Sequence, residues 1–140
     1  MSLPLFNVRV YGIIQKGDLY LLSHEWNDKV DFWKFPGGGV EENEGIEQAL
    51  KRELMEELKT EVKNAKLFYV NEHYQKSLFG KESLLAFYYL VNTADMDLSP
   101  KKEIKWGKDY HLRFKWISAN ELAERLHFPL DKVVASRLTK

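Results

Sequence analysis

Cysteine is absent from the 140 residues, which excludes disulfide scaffolds, thiolate metal sites and cysteine nucleophiles together. That absence fits a reducing compartment, and a cytoplasmic location is expected. No apolar run approaches the roughly 18 residues of a membrane span, and residues 1–9 show no basic-then-apolar secretion signal. A soluble protein with no membrane partner is expected. Net charge is absent too: 21 basic residues balance 21 acidic ones, so the total offers no field for a nucleic-acid polymer. What the chain does contain is apolar material, 44% hydrophobic and 14% aromatic, enough to bury a core and too much for intrinsic disorder. Its length predicts one compact domain over residues 1–140.

The charge is unevenly distributed. Between Glu41 and Glu61, eight Glu stand against Lys51, Arg52 and Lys59, a local net of −5, whereas from Pro100 to Lys140 ten basic residues face five acidic ones. Such halves suit a metal cation and a polyanion in nearby places, or are two ordinary solvated surfaces. Periodicity and punctuation divide the chain further. Residues 6–15 and 19–25 read as a hairpin across Lys16-Gly17-Asp18. Phe32 to Phe35 is a short extended piece stopped by Pro36-Gly37-Gly38-Gly39, which reads as a turn ahead of a helix. Free amides there suit phosphate, or the run is a plain connection. Residues 67–75 and 83–92 read as strands, 93–109 as loop and 111–117 as a strand. Ser118, with Glu121 three residues on, caps a helix over 119–127, and Pro129 opens a last helix to Leu138. Strands and helices mix without regular alternation, an α/β chain of the α+β kind.

The helix predicted over Ile46 to Leu58 carries the chemical signal. At about 100° per residue, Ile46, Leu50, Leu54 and Leu58 fall at roughly 0°, 40°, 80° and 120°. Glu57 lands near 20° and Glu53 near 340°, along the edge of the packing face, with Glu56 near 280°. Crowded carboxylates repel, and more so when partly buried, so a cation should compensate them. The candidates are Arg52 and a divalent metal; three or four oxygen ligands without His or Cys match Mg²⁺ or Mn²⁺ better than zinc. An acidic surface helix with Glu/Lys pairs is the alternative.

The spacing Gly38-x5-Glu44-x7-Arg52-Glu53-Leu54-x-Glu56-Glu57 closely resembles the signature of the Nudix hydrolases, G-x5-E-x7-R-E-U-x-E-E-x-G-U with U aliphatic. The resemblance implies an α/β/α sandwich with a mixed, mostly antiparallel curved sheet between helices. It implies hydrolysis of a nucleoside diphosphate linked to another group, by metal-assisted water attack on a phosphorus of the pyrophosphate. Glu53, Glu56 and Glu57 then become metal ligands, with the Gly38 carbonyl as a further one. Glu53 becomes the first choice for general base, while Asp109 and His111 stand in the later loop that supplies the base in other members. Arg52 matches the arginine that orients a box glutamate, and Glu44 its helix-stabilising partner. The expected partner is a small nucleotide, and a homodimer is compatible with the family.

Two positions depart from the signature: Lys59 replaces its glycine and Thr60 its aliphatic residue. Glycine there closes the helix in a left-handed turn, so either Lys59 adopts that conformation or the helix runs on. Left-handed closure is the expectation, because Thr60 is a poor helix former and Val62 begins a strand. The subclass marks are missing. No proline stands at Tyr74-Gln75-Lys76-Ser77, as in many ADP-ribose enzymes, and the tyrosine spacing of dinucleoside polyphosphate enzymes is unmatched. Where oxidised-guanine sanitisers carry an Asn before the last helix, this chain reads Phe128-Pro129-Leu130-Asp131. Trp26, Trp33, Phe79 and Trp106 have rings able to stack on a base, but most aromatics build the core and none is assigned to substrate. A Nudix-fold sensor of nucleotide sugars is the second reading; the intact glutamates and the absence of a helix-turn-helix segment weigh against it. An isoprenyl diphosphate isomerase in its common form needs a cysteine that this chain lacks.

Overall fold

A computed structural model describes residues 5–77, 80–105 and 107–139. The elements are β1 (Phe6–Ile13), β2 (Gln15–Lys16), β3 (Leu19–Trp26), β4 (Asp31–Lys34), β5 (Gly37–Gly39), α1 (Ile46–Leu58), β6 (Val62–Val70), β7 (Ser83–Thr93), β8 (Lys101–Lys105) and β9 (Lys108–Ser118). A 3-10 turn over Ala119–Glu121 leads into α2 (Leu122–Arg125), and α3 (Pro129–Leu138) follows. One sheet runs β5-β1-β7-β6 and the other β2-β3-β9-β8, with β4 also pairing β3, beyond β2 along the strand. Only β1 and β7 pair in parallel among these ladders, from Phe6 opposite Ser83 to Ile13 opposite Leu90.

Strand alternation sends successive side chains to opposite faces, and here both faces are covered. Val10, Leu21, Tyr89, Val91, Leu112 and Phe114 pack on Ala49, Leu50, Leu54 and Leu58 of α1. Their neighbours Tyr11, Ile13, Tyr20, Leu22 and Tyr88 pack instead with Leu122, Leu126, Leu130 and Val134 of α2 and α3. This is the expected α/β/α layering, with the strands split between two sheets and not joined in one.

Several local expectations are corrected. Strand β1 does not pair with β3: the turn at Gly17 joins only the two-residue β2 to β3, and β1 belongs to the other sheet. The glycine run is not a turn at the helix start but a strand, with Gly37, Gly38 and Gly39 opposite Tyr11, Val10 and Arg9. Residues 93–109 are not all loop, because β8 and the start of β9 form a hairpin. Strand β6 occupies Val62–Val70, earlier than residues 67–75. The segment 119–127 is a 3-10 turn plus one helical turn, and Ser118 makes no capping bond to a backbone amide.

Helix α1 has the predicted bounds. Gln48 reaches back to accept the Gly45 N–H at 2.6 Å, half of a capping box. At the other end Lys59 takes φ 52° and ψ 42°, the left-handed closure, and its N–H bonds Met55 O at 3.1 Å. Thr60, where the signature has an aliphatic residue, is buried, and its hydroxyl donates to Ala94 O at 3.0 Å. A non-glycine residue in this conformation costs on the order of 1 kcal/mol, so Lys59→Gly is expected to stabilise the protein by up to about that amount. A higher denaturant midpoint at unchanged slope checks this; a lower midpoint contradicts it.

Candidate active site

The site forms where α1 faces the glycine strand β5. Arg52 is its organising side chain, and all five of its N–H donors are directed at acceptors. Its Nε and Nη2 grip Glu44 at 3.0 and 2.7 Å, Nη2 also donates to Gly39 O at 2.9 Å, and Nη1 reaches Glu53 at 3.2 Å and Glu56 at 3.4 Å. Arg52 hydrogen bonds, joined by the Glu41 N–H, hold the Glu44 carboxyl below its ordinary pKa. One guanidinium thus ties β5 to α1 and orients three carboxylates of the signature, Glu44, Glu53 and Glu56.

Glu53 and Glu57 lie along the packing edge and Glu56 outside it, as the helical phase predicts, but Glu57 and not Glu53 lies nearest the packed face. Glu56 is exposed, Glu53 is half-buried and Glu57 is buried, 2% exposed. Burial raises the Glu53 carboxyl above its ordinary value, against the opposing pull of Lys34 and Arg52. Glu57 is pushed up to about 7, burial outweighing Lys34 and Lys105, with Glu53 and Glu25 adding repulsion. Its Oε1 accepts the Gly37 N–H at 3.0 Å, while its buried Oε2 has no hydrogen-bond partner. Arg52 therefore compensates Glu53 and Glu56 directly and leaves Glu57 uncompensated by contact.

Gly38 permits the close approach of Glu53. A Cβ at Gly38 would stand 2.6 Å from Glu53 Oε1 and 2.9 Å from Oε2. The two lie in a cleft of about 240 Å³ lined by Arg9, Gly37, Gly38, Gly39, Glu53 and Lys105. Glu53 is the box carboxylate that lines it. Asp109 and His111 do not: both are exposed on β9, opposite Ile104 and Lys102, and His111 stacks on Trp26 with centroids 5.2 Å apart. Trp33 is in the core, stacked on His24 at 4.3 Å, and Trp26 also stacks on His24, at 4.5 Å. Phe79 and Trp106 lie outside the described residues.

Oxygen donors and the orphaned, buried Glu57 Oε2 fit a hard divalent cation. Among the described residues, no three His, Cys, Asp or Glu side chains converge on one point, because Arg52 holds Glu53 and Glu56 and Gly37 holds Glu57. Binding a cation requires these carboxylates to close up around it.

Sequence reading missed a buried charge group behind the cleft. Glu25 on β3 is fully buried, with Lys105 Nζ 2.6 Å from Oε1 and Lys34 Nζ 3.2 Å from Oε2. Burial raises the Glu25 carboxyl, and Lys34 and Lys105 more than reverse this, holding it below its ordinary value. The available signal was a lone charge in each of two apolar runs, Leu19–Trp26 and Phe32–Phe35. Also missed was a small pocket of about 20 Å³ that Tyr11, Tyr88, Phe128 and Asp131 help line. There buried Asp131 accepts from Tyr88 OH at 2.5 Å, its Oδ2 has no hydrogen-bond partner, and burial pushes its carboxyl up to about 6. Tyr11 connects the two cavities, its hydroxyl accepting from Arg9 Nε at 2.6 Å.

Known proteins share both the sequence pattern and the architecture. An RNA pyrophosphohydrolase of Haemophilus influenzae is 42% identical over 52 residues, 37% of this chain and 26% of that protein. An 8-oxo-dGTP diphosphatase of the same species is 40% identical over 84 residues, 58% of this chain and 59% of that protein. The matches thus span about a quarter to three fifths of these relatives' lengths. Among solved structures, a MutT NUDIX hydrolase from Burkholderia pseudomallei superposes with a TM-score of 0.74 at 21% identity, over 96% of this chain and 99% of that one. A NUDIX hydrolase from Nitrosomonas europaea gives 0.72 at 24%, over 96% and 90%. These likenesses establish the fold. Residues 5–137 match the family profile described as the NUDIX domain, a span that contains β5, α1 and the whole Arg52 cluster, and the chain belongs to that family.

Proposed function

We propose that this chain is a divalent-metal-dependent hydrolase that cleaves the pyrophosphate bond of a nucleoside diphosphate derivative by water attack on phosphorus. The observation that carries the reading is Glu53, poised against Gly38 in a cleft that also presents Arg9. Glu53, Glu56, Glu57 and the Gly38 carbonyl would hold Mg²⁺ or Mn²⁺, which supplies charge neutralisation of the phosphates and a lowered water pKa. Glu53 accepts the proton of the attacking water, a role its raised pKa suits. The new O–P bond forms as the bridging P–O bond breaks, and the leaving phosphate takes the bonding pair. Arg52 keeps Glu53 and Glu56 in register with β5 throughout.

Nucleoside triphosphates are the favoured substrates. The curated relatives include an 8-oxo-dGTP diphosphatase; the Asn that such enzymes carry before the last helix is absent, and Asp131 in that stretch is buried in a pocket of about 20 Å³, too small for a base. The test is a panel of triphosphates, oxidised triphosphates, nucleotide sugars and ADP-ribose assayed for Mg²⁺-dependent hydrolysis. Cleavage of at least one with cleavage at the pyrophosphate supports the reading; tight binding of a nucleotide sugar without cleavage of any member favours the sensor. Mg²⁺ or Mn²⁺ is also expected to raise the melting temperature by binding the native state. No shift at millimolar cation, with a nucleotide present, contradicts the metal site.

A further inference from the structure

The NUDIX signature contains no residue from β8, yet β8 places a cation in the cleft. We propose that Lys105 contacts a phosphoryl oxygen of the substrate and that Glu25 is the residue that positions it; the inference rests on the hydrolase reading above.

The two lysines on Glu25 differ in what they have left to donate. Lys34 is buried, donates to Phe35 O at 3.3 Å and Gly37 O at 3.0 Å, and stands 3.2 Å from Glu25 Oε2 as an ion pair. It is enclosed behind the cleft lining and structural. Lys105 sits 2.6 Å from Glu25 Oε1 and 3.4 Å from Glu103 Oε2, and an ammonium has three donors. Its side chain is 24% exposed and lines the cleft facing Gly38 and Glu53. The third N–H is thus available to an anion there.

The cost of the arrangement points the same way. Burying a carboxylate between two ammonium groups is seldom the most stable way to fill a protein interior, since apolar residues of similar volume commonly do as well or better. Glu25 shares its face of β3 with Leu21 and Ser23, where an apolar residue would pack. What the carboxylate adds is a fixed lysine at the cleft, and an anchored lysine loses less side-chain entropy on capturing a phosphate than a free one. Through Lys34 the same carboxylate is linked to the Gly37 carbonyl, so Lys105 is held relative to the strand that forms the cleft floor. The other lysines of β8 point elsewhere: Lys101 donates to Glu57 O at the end of α1, and Lys102 is exposed on the opposite face.

The test is calorimetric titration of the full chain with inorganic pyrophosphate in Mg²⁺, alongside hydrolysis of the best nucleotide. Lys105→Met is expected to weaken pyrophosphate binding about tenfold and to raise KM. Because it leaves buried Glu25 with Lys34 alone, it should also lower the melting temperature, so binding is compared well below the melting of both proteins. Lys105→Arg, which keeps the charge on Glu25, stays within about threefold of the parent. Lys102→Met makes the same charge change on the same strand and should bind as the parent does. Glu25→Gln should weaken binding as Lys105→Met does, and the double variant should lose no more than Lys105→Met alone, a non-additivity that a purely structural Glu25 would not produce. Undiminished binding by Lys105→Met, equal losses from Lys102→Met, or no pyrophosphate binding by the parent overturns the proposal. Lys105-dependent pyrophosphate binding by a parent that hydrolyses no nucleotide overturns the hydrolase reading and leaves the phosphate contact standing.

Discussion

Glu57→Gln is expected to lower turnover roughly 100- to 1,000-fold and at the same time to stabilise the metal-free protein at neutral pH. The two effects share one cause. Glu57 is buried, its Oε2 lacks a hydrogen-bond partner, and its carboxyl is pushed from 4.5 up to about 7. Below pH 4.5 both folded and unfolded chains hold the proton. Between pH 4.5 and 7 only the folded chain does, so native stability falls as pH rises through that window. At 1.36 kcal/mol per unit this amounts to about 3 kcal/mol once pH exceeds 7. Glutamine is neutral throughout and its Oε1 retains the Gly37 N–H bond. Asp131, raised to about 6, acts in the same direction and is present in both proteins, so the difference between them isolates Glu57. Thermal melts in chelator from pH 4 to 8 check the stability: the variant should gain several degrees at pH 7.5 and little at pH 4.5. A variant less stable at pH 7.5, or one retaining more than a tenth of parental turnover, contradicts the account.

The three glycines of β5 should respond to alanine in three different ways. Gly37 has φ 139°, and its Cβ would stand 2.1 Å from Val10 O and 2.8 Å from Tyr11 Cα. These are backbone atoms of the paired strand and cannot move aside. Gly37→Ala must separate β5 from β1, and with it the bonds from Gly37 N–H to Glu57 and from Lys34 to Gly37 O. A loss of at least about 3 kcal/mol is expected, seen as a melting temperature lower by about 10 °C or more. At Gly38 the three atoms nearest the Cβ are the carboxylate end of Glu53, which can swing away, so Gly38→Ala should spare stability and lower turnover. At Gly39 the nearest atom is Arg9 Nη1 at 3.7 Å, an ordinary contact, so stability should be nearly unchanged. Equal melting temperatures for the Gly37 and Gly39 variants would contradict the strand geometry.

The parts of this molecule legible from its sequence are those governed by local periodicity. Helix α1 has its predicted bounds because its apolar stripe, its start after Gly45 and the break at Thr60 are all local signals. The same 100° arithmetic set Glu53 and Glu57 along the edge of the packing face, but it did not show that Glu57, and not Glu53, is the buried one. Pairing between distant strands is not local. Alternation showed that β1 and β3 were strands but not that they belong to different sheets. Strand β8, Lys-Lys-Glu-Ile-Lys, reads as loop because an edge strand is protected by the charges that mask it. Glu25 and Lys34 were hidden for a related reason: a charge reads as exposed unless its partner is known, and theirs arrives from another strand.

Metal-dependent cleavage of a pyrophosphate bond by water can be followed in one experiment, hydrolysis of the best nucleotide in ¹⁸O-labelled water with Mg²⁺ or with chelator. Turnover is expected only with the metal, with cleavage between phosphates and one ¹⁸O atom in a single phosphate-bearing product. Turnover that survives chelation, or cleavage at a bond outside the pyrophosphate, would contradict it.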